Sequence, residues 1–339
     1  DRSVWFRADG EARHLSWARW ADALLVAPAS ADALAAAASG RADDPVAALA
    51  LAVPRTAYAP AMNAAMWDAP AVRRNVARLR EDGHEVIVPA VGPLGTPGEG
   101  AGAGRLPDEG ALVDAILRTP RPRDLLGRRV LVSAGPTREW LDPVRFLSNP
   151  SSGRMGFAVA EAARDRGAEV DLVHGPTSAP VPHGVAAVRI ETAEEMLEGL
   201  TPRFEACDLL VMTAAVADWR PEERKREKEP KSGTSQQLRM VRTPDLLTEL
   251  ARTRREQVTV GFAMETDKGV ERAAEKATRK GLAFVALNYP TRGDSAFGGD
   301  ATRLTLVAPD GAAQALPRLR KREAAERLLD RAVGLLPER

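Results

Sequence analysis

Several groups of residues in this chain have types and spacings suited to chemistry. Ser148-Asn149-Pro150-Ser151-Ser152-Gly153-Arg154-Met155-Gly156 is small, polar and glycine-bearing, and it runs into a helix. Such a loop points backbone N–H groups at an anion, with a helix dipole behind them. The GxxxxGK[ST] spacing of a P-loop is absent, and Ser and Asn equally suit an ordinary N-cap. Ala214-Ala215-Val216-Ala217-Asp218-Trp219 follows an apolar run. Asp218 therefore stands where doubly wound sheets hold nucleotides or metals, or else it caps a helix. Lys225, Lys228 and Lys231 lie in the charged stretch 220–234. This is either a solvated loop or a flap that closes over a triphosphate. Lys276 and Lys280 are four apart and share a helix face. Two cations there repel unless an anion lies between them, although Glu271 and Glu275 also fit a plain surface helix. His14 can shuttle a proton or hold a carboxylate, and Asn63, after Pro60-Ala61-Met62, can hydrogen-bond a substrate. A lone histidine is more often structural.

The elements that must position these residues alternate. Ala23–Ala27, Arg55–Ala59 and Glu85–Val88 read as buried strands. Ser30 is placed to cap an alanine-rich helix that stops at Gly40, and a further helix reaches about Arg80. Val91–Arg105 is rich in Gly and Pro without periodicity and reads as a loop, followed by a helix over Asp108–Leu117. Thr119–Arg123 reads as a stiff linker. The pattern then restarts with strands over Arg129–Ser133, Val170–His174, Leu209–Thr213, Val258–Phe262 and Phe284–Leu287. Helices fit Met155–Arg166, Ala193–Leu200, Pro244–Arg252 and Val270–Lys280. Strands alternating with helices predict an α/β protein with two doubly wound, Rossmann-like parallel-sheet domains.

Composition narrows the class. A 44% hydrophobic share over 339 residues suffices for at least one core, and a net charge of +1 offers no field for nucleic acid. Cys207 is the only cysteine, so no intramolecular disulfide or cysteine-rich metal site forms, which fits a cytoplasmic protein. No run approaches the ~20 apolar residues of a membrane span. The chain opens on Asp1 rather than Met and enters almost directly on Arg13-His14, which suggests a fragment or processed chain.

Together these strings resemble the bifunctional phosphopantothenoylcysteine decarboxylase/phosphopantothenate–cysteine ligase family of coenzyme A biosynthesis. The ligase half carries Ser133-Ala134-Gly135-Pro136-Thr137-Arg138-Glu139, Leu141-Asp142-Pro143-Val144-Arg145-Phe146-Leu147-Ser148-Asn149 and Ser151-Ser152-Gly153-Arg154-Met155-Gly156. Ala214–Asp218, Thr243-Pro244-Asp245-Leu246 and Gly261-Phe262-Ala263-Met264-Glu265-Thr266 follow in the same order. The resemblance implies a flavodoxin-like flavoprotein domain over 1–118, incomplete at its start, a linker over 119–125 and a ligase domain over 126–339. It implies that 4′-phosphopantothenate attacks CTP, with Mg²⁺, to give an acyl-cytidylate, from which the amine of L-cysteine displaces CMP. It places CTP at Asp218, Lys228, Thr243, Pro244, Asp245, Leu246, Phe262, Lys276 and Lys280. Lys228 would assist cytidylate formation, and Asn149 and Arg145 would serve amide formation. The metal ligands stay unassigned. Thr243 departs from the family's usual Asn, and either side chain can cap the next helix.

In the first half, His14 matches the family's catalytic histidine, and Ala27–Asp32 matches the flavin-contacting turn, placing Ser30 at FMN. Pro60-Ala61-Met62-Asn63 with Met66 matches the substrate motif, placing Asn63 at the site. The family's proton-returning cysteine belongs within Thr96–Gly100, where this chain has none. The resemblance therefore implies a ligase joined to a decarboxylase-like domain lacking that thiol. The family also implies a homo-oligomer. Two other readings are an NAD(P)-linked oxidoreductase, for which no G-x-G-x-x-G follows a strand, and a non-catalytic flavoprotein scaffold.

Overall fold

Short apolar runs bounded by polar turns become parallel strands in both halves of the chain. The computed structural model describes residue 5 and residues 12–93, 101–228, 237–290 and 299–338. Residues 1–122 and 123–339 form two compact units.

The first unit comprises α1 (Arg13–Trp20), β1 (Leu24–Ala29), α2 (Ala31–Ser39), α3 (Pro45–Ala52), β2 (Thr56–Pro60), α4 (Ala64–Asp68), α5 (Pro70–Glu81), β3 (Glu85–Val86), β4 (Ala90–Pro93), β5 (Ala101–Arg105) and α6 (Glu109–Arg118). β1, β2 and β3 pair in that order, all parallel. Every residue of β2 is buried, because helices cover the sheet. Leu34, Tyr58, Trp67, Val76 and Leu79 form the core. Ser30 caps α2 by accepting the Ala33 amide, and the helix ends at Gly40 with φ +70°.

Three expectations are corrected here. The strand expected to end before Pro28 runs on to Ala29. The loop expected over Val91–Arg105 contains an antiparallel ribbon, β4 with β5, with Val91 opposite Ala103. Its glycines carry no apolar alternation, so only pairing with a distant partner defines it. Thr119, read as the start of a linker, is buried and donates to the Ala115 carbonyl at 2.9 Å.

The second unit comprises β6 (Arg129–Ala134), β7 (Arg138–Trp140), β8 (Phe146–Ser148), α7 (Arg154–Asp165), β9 (Glu169–His174), β10 (Ala186–Arg189), α8 (Ala193–Phe204), β11 (Leu209–Met212), β12 (Trp219–Pro221), β13 (Met240–Arg242), α9 (Leu246–Ala251), β14 (Val258–Met264), α10 (Gly269–Lys280), β15 (Phe284–Asn288), β16 (Ala301–Thr302), β17 (Thr305–Val307), β18 (Ala313–Ala315), β19 (Leu319–Arg320) and α11 (Lys321–Val333). The central sheet has the order β10-β9-β6-β11-β14-β15-β17-β18. Its first six strands are parallel. β17 and β18 then add antiparallel to the expected parallel sheet, two strands that the sequence reading does not indicate.

The sheet is covered on both faces. On β6, Val130, Val132 and Ala134 pack with α7 and α11, while Leu131 packs with α8 on the other face. α9 joins α8 on that face. α10 packs against Val285 and Leu287 of β15. α8 continues past Pro202 to the buried Phe204, four residues beyond its expected end at Leu200. Burying each such large side chain contributes about 1.5–3 kcal/mol.

Candidate functional site

The six parallel strands of the second unit, numbered by their chain order, lie as 3-2-1-4-5-6. From β6 the chain builds toward β9 and β10, then returns to β11 on the opposite side. Loops leaving the carboxyl ends of β6 and β11 therefore diverge and open a crevice.

Polar side chains brace that crevice across distant segments. Thr213 Oγ1 donates to the Ser133 carbonyl at 2.6 Å, and the Ala214 amide donates to Ser133 Oγ at 3.2 Å. Thr137 Oγ1 accepts from the Ala217 amide at 3.0 Å. Asn149 Nδ2 donates to the carbonyls of Val216 at 3.0 Å and Ala215 at 3.3 Å. The Ser148–Gly156 loop is thus held against the segment after β11. Gly156 makes the approach possible, since a Cβ there would lie 2.4 Å from both Ala134 Cβ and Thr213 Oγ1.

Two cavities open here, of about 680 and about 580 Å³. They share Ala214, Val216, Asp218, Phe262 and Lys276, so they are two lobes of one cleft. The first lobe is lined by Asn149–Gly156, Thr213, Asn288, Thr302 and Lys321. The second is lined by Trp219, Thr243, Pro244, Asp245, Leu246 and Lys280. Eight of the nine residues expected at CTP line this second lobe, Lys228 being the exception.

Its electrostatics differ from the sequence expectation in one respect. Lys276 and Lys280 do share a face of α10, yet each already has a partner. Lys276 Nζ donates to the Phe262 carbonyl at 2.7 Å. Lys280 Nζ donates to Thr248 Oγ1 at 2.6 Å and pairs with Asp245. Burial, reinforced by the charge of Lys280, pushes the Lys276 ammonium below the ordinary lysine range. Burial acts to raise Asp245, but the Lys280 and Thr248 bonds outweigh it and hold its carboxyl below the usual range. Thr243 does not cap α9. Asp245 does, accepting the Thr248 amide, while Thr243 Oγ1 donates to the Ala217 carbonyl at 2.6 Å. Asp218 is exposed in both lobes.

Other expected residues lie elsewhere. Arg145 lines a separate cavity of about 220 Å³ beside β12, with Lys225 and Arg239, rather than joining Asn149. Its guanidinium binds the buried Asp142 at 2.6 Å. Burial acts to raise the Asp142 carboxyl, and bonds from Val144 and Arg145 hold it low. Lys228 is exposed and lines neither lobe, and Lys231 lies outside the described residues. Asn288 and Lys321 were not singled out from the sequence. Asn288 stands at the carboxyl end of β15, a position that signals a ligand. Lys321 sits in an arginine-rich run that gives no such signal.

In the first unit, Asn63 Oδ1 accepts the Ala65 amide at 2.8 Å and so caps α4. The neighbouring Met62 amide donates to the Gly104 carbonyl of β5. His14 Nδ1 is buried without a hydrogen bond, its ring edge-on to Trp5 at 6.0 Å. Ser30 Oγ is exposed at the end of β1 and keeps its own O–H free to donate after capping α2. The stretch Thr96–Gly100 lies outside the described residues. Among the described residues no cluster of three His, Cys, Asp or Glu side chains is placed to hold a metal, and no helix is long and apolar enough to cross a membrane.

Residues 125–335 match the family model of the DNA/pantothenate metabolism flavoprotein C-terminal domain, and residues 1–120 match that of the flavoprotein family. The chain is similar to the coenzyme A biosynthesis bifunctional protein CoaBC of Bacillus subtilis (strain 168), with 37% identity over 325 residues, 95% of this chain and 80% of that protein. It is 39% identical over 341 residues to CoaBC of Mycobacterium tuberculosis (strain ATCC 25618 / H37Rv), covering 95% and 81%. The solved C-terminal domain of a CoaBC protein matches with a TM-score of 0.53 and 37% identity, covering 63% of this chain and 97% of that one. A Cab2 mutant in complex with phosphopantothenate-cysteine shares the fold, with a TM-score of 0.50 and 17% identity.

Proposed function

The chain belongs to the family of bifunctional coenzyme A biosynthesis (CoaBC) proteins, and from that premise we propose that its second unit is a CTP-dependent phosphopantothenate–cysteine ligase. One observation carries the reading: Asp218, Thr243–Leu246, Phe262, Lys276 and Lys280 converge on one lobe of a cleft at the switch point. Phe262 offers an apolar surface for a base. Lys276 and Lys280 offer charge to a triphosphate, with Lys276 half-freed because its present partner is only a carbonyl. The neighbouring lobe, lined by Asn149–Gly156, takes the phosphorylated acid, its phosphate at the start of α7. The acid's carboxylate attacks the α-phosphate and releases pyrophosphate. The cysteine amine then attacks the acyl carbon and CMP leaves. Asn149 keeps its loop locked on Ala215 and Val216 while the two substrates meet. Lys228, within the charged stretch 220–234, closes over the phosphates.

Mg²⁺ supplies charge neutralisation to the phosphates when bound. Among the described residues Asp218 is the cleft carboxylate without an internal partner, and it would help hold the ion beside the phosphates, a donor set typical for Mg²⁺. In the first unit, Ser30 can donate to FMN and His14 stands ready to bond a substrate carboxylate. The family thiol is absent from Thr96–Gly100, so decarboxylation stalls where a proton must return to the product. We further infer a cytoplasmic homo-oligomer, and light scattering that gives a monomer would sink that part.

The decisive experiment is pyrophosphate release with 4′-phosphopantothenate, CTP, Mg²⁺ and cysteine, comparing wild type with Lys228→Gln. Release by wild type and its loss in the variant are expected. Wild type that is silent with both CTP and ATP refutes the ligase.

A further inference from the structure

The first lobe contains a cationic corner that the family motifs do not account for. Lys321 is the first residue of α11, a 13-residue helix. A lysine there faces the positive end of the helix dipole, a place that favours acids. It is only 6% exposed, yet it lines the cavity. Among the described residues its ammonium makes no hydrogen bond or ion pair. Its backbone amide donates to the Asp300 carbonyl.

The surroundings add more positive charge. The same cavity is lined by the start of α7, a 12-residue helix whose N-cap is Gly153, φ +72°, with no side chain to cap the first turn. Arg154 is close enough that its charge joins burial in pushing the Lys321 ammonium down. Asp300, the local carboxylate, is exposed and pairs with Arg154 at 2.6 Å on its outer side. Two helix N-termini, a buried lysine and an arginine thus meet around open space. The Asp300 charge compensates the Lys321 ammonium only in part, since burial and Arg154 outweigh it; burying such an ammonium is costly, and the arrangement makes sense when an anion occupies the space.

We propose that Lys321 is a specificity-determining residue of the ligase: its ammonium binds the phosphate monoester of the acid substrate and selects the phosphorylated acid over the unphosphorylated one. The inference rests on the ligase reading above. A monoester dianion supplies two charges and three acceptor oxygens. Lys321 and the amides of α7 meet them together, whereas pantothenate, with a hydroxyl there, leaves both unmatched.

The test is steady-state kinetics of Lys321→Met and Lys321→Arg with 4′-phosphopantothenate, with pantothenate and with varied CTP. Losing one charge-assisted bond raises the KM for the phosphorylated acid about ten- to hundredfold. The KM for CTP stays unchanged, and the preference for the phosphorylated acid falls by the same factor. Lys321→Arg retains most of the preference. Equal losses on both acids, a loss confined to CTP, or no loss overturns the proposal. Calorimetry with inorganic phosphate supplies a readout independent of turnover. Wild type binds it, and the phosphorylated acid competes while CTP does not. Competition from CTP alone overturns the proposal, including when Lys321→Met does not fold. Silence of the wild type in pyrophosphate release, with phosphate binding intact, refutes the ligase reading and leaves the phosphate site standing.

Discussion

The polar residues of the two units do different work. In the first, Ser30 and Asn63 cap the helices that begin directly after them, reaching three and two residues along the chain. In the second, Asn149 reaches 66 and 67 residues along the chain to Ala215 and Val216, and Thr243 reaches 26 back to Ala217. Local caps set where a helix starts. Long-range bonds set the distance between two walls of a cleft, so their loss is felt as misplacement of substrates.

The largest test of this contrast is Lys276→Met, which removes the buried cation between the two lobes. Pyrophosphate release should fall about a hundred- to thousandfold, while the melting temperature changes little. Gly156→Ala comes next. Its methyl overlaps Ala134 and Thr213, and the strain should cost ~1–3 kcal/mol in denaturant unfolding together with ligase activity. Asn149→Ala should lower kcat/KM about tenfold with little change in melting temperature, since the loop is exposed. Asn63→Ala should do the reverse, costing about 1 kcal/mol of stability as a lost N-cap and leaving pyrophosphate release intact. Equal effects of these two substitutions would erase the distinction.

The shallowest effect lies in pH. Lys276 is held below the ordinary lysine value, so above the lowered value it loses charge while an unfolded lysine would keep it. Triphosphate binding needs the charged form. The KM for CTP should therefore rise gradually with pH in the window below about 10.4, and Lys276→Met should flatten that rise. The sign for Asp245 is opposite. Its lowered carboxyl contributes stability at neutral pH that is lost as pH falls into the acid range through its folded value.

The parallel core was legible because β6, β9, β11, β14 and β15 are apolar runs that identify themselves. β17, β18 and the ribbon β4–β5 were not, since they are strands of three to five residues whose sequences carry no apolar run long enough to mark them, and only their pairing defines them. That Asp218, Thr243–Leu246, Phe262, Lys276 and Lys280 gather in one lobe was legible through ordered motifs. That Arg145 lines a different cavity from Asn149 was not legible, because four positions of separation say nothing about the direction taken by the β7–β8 ribbon between them. Lys321 was invisible because a lysine beside arginines in sequence looks like a solvated face, and only tertiary packing buries it.

The antiparallel addition at the end of the large sheet bears on solubility. A parallel sheet ending at β15 would leave a five-residue, wholly buried apolar strand as a template for pairing with other molecules. β17 and β18 cover it and hand the margin to Ala313-Gln314-Ala315, a three-residue strand with every residue exposed. At the opposite margin β10 is also short, and it ends on Arg189. Both borders are brief, of three and four residues, and each carries a polar side chain, Gln314 and Arg189, which limits pairing with other molecules.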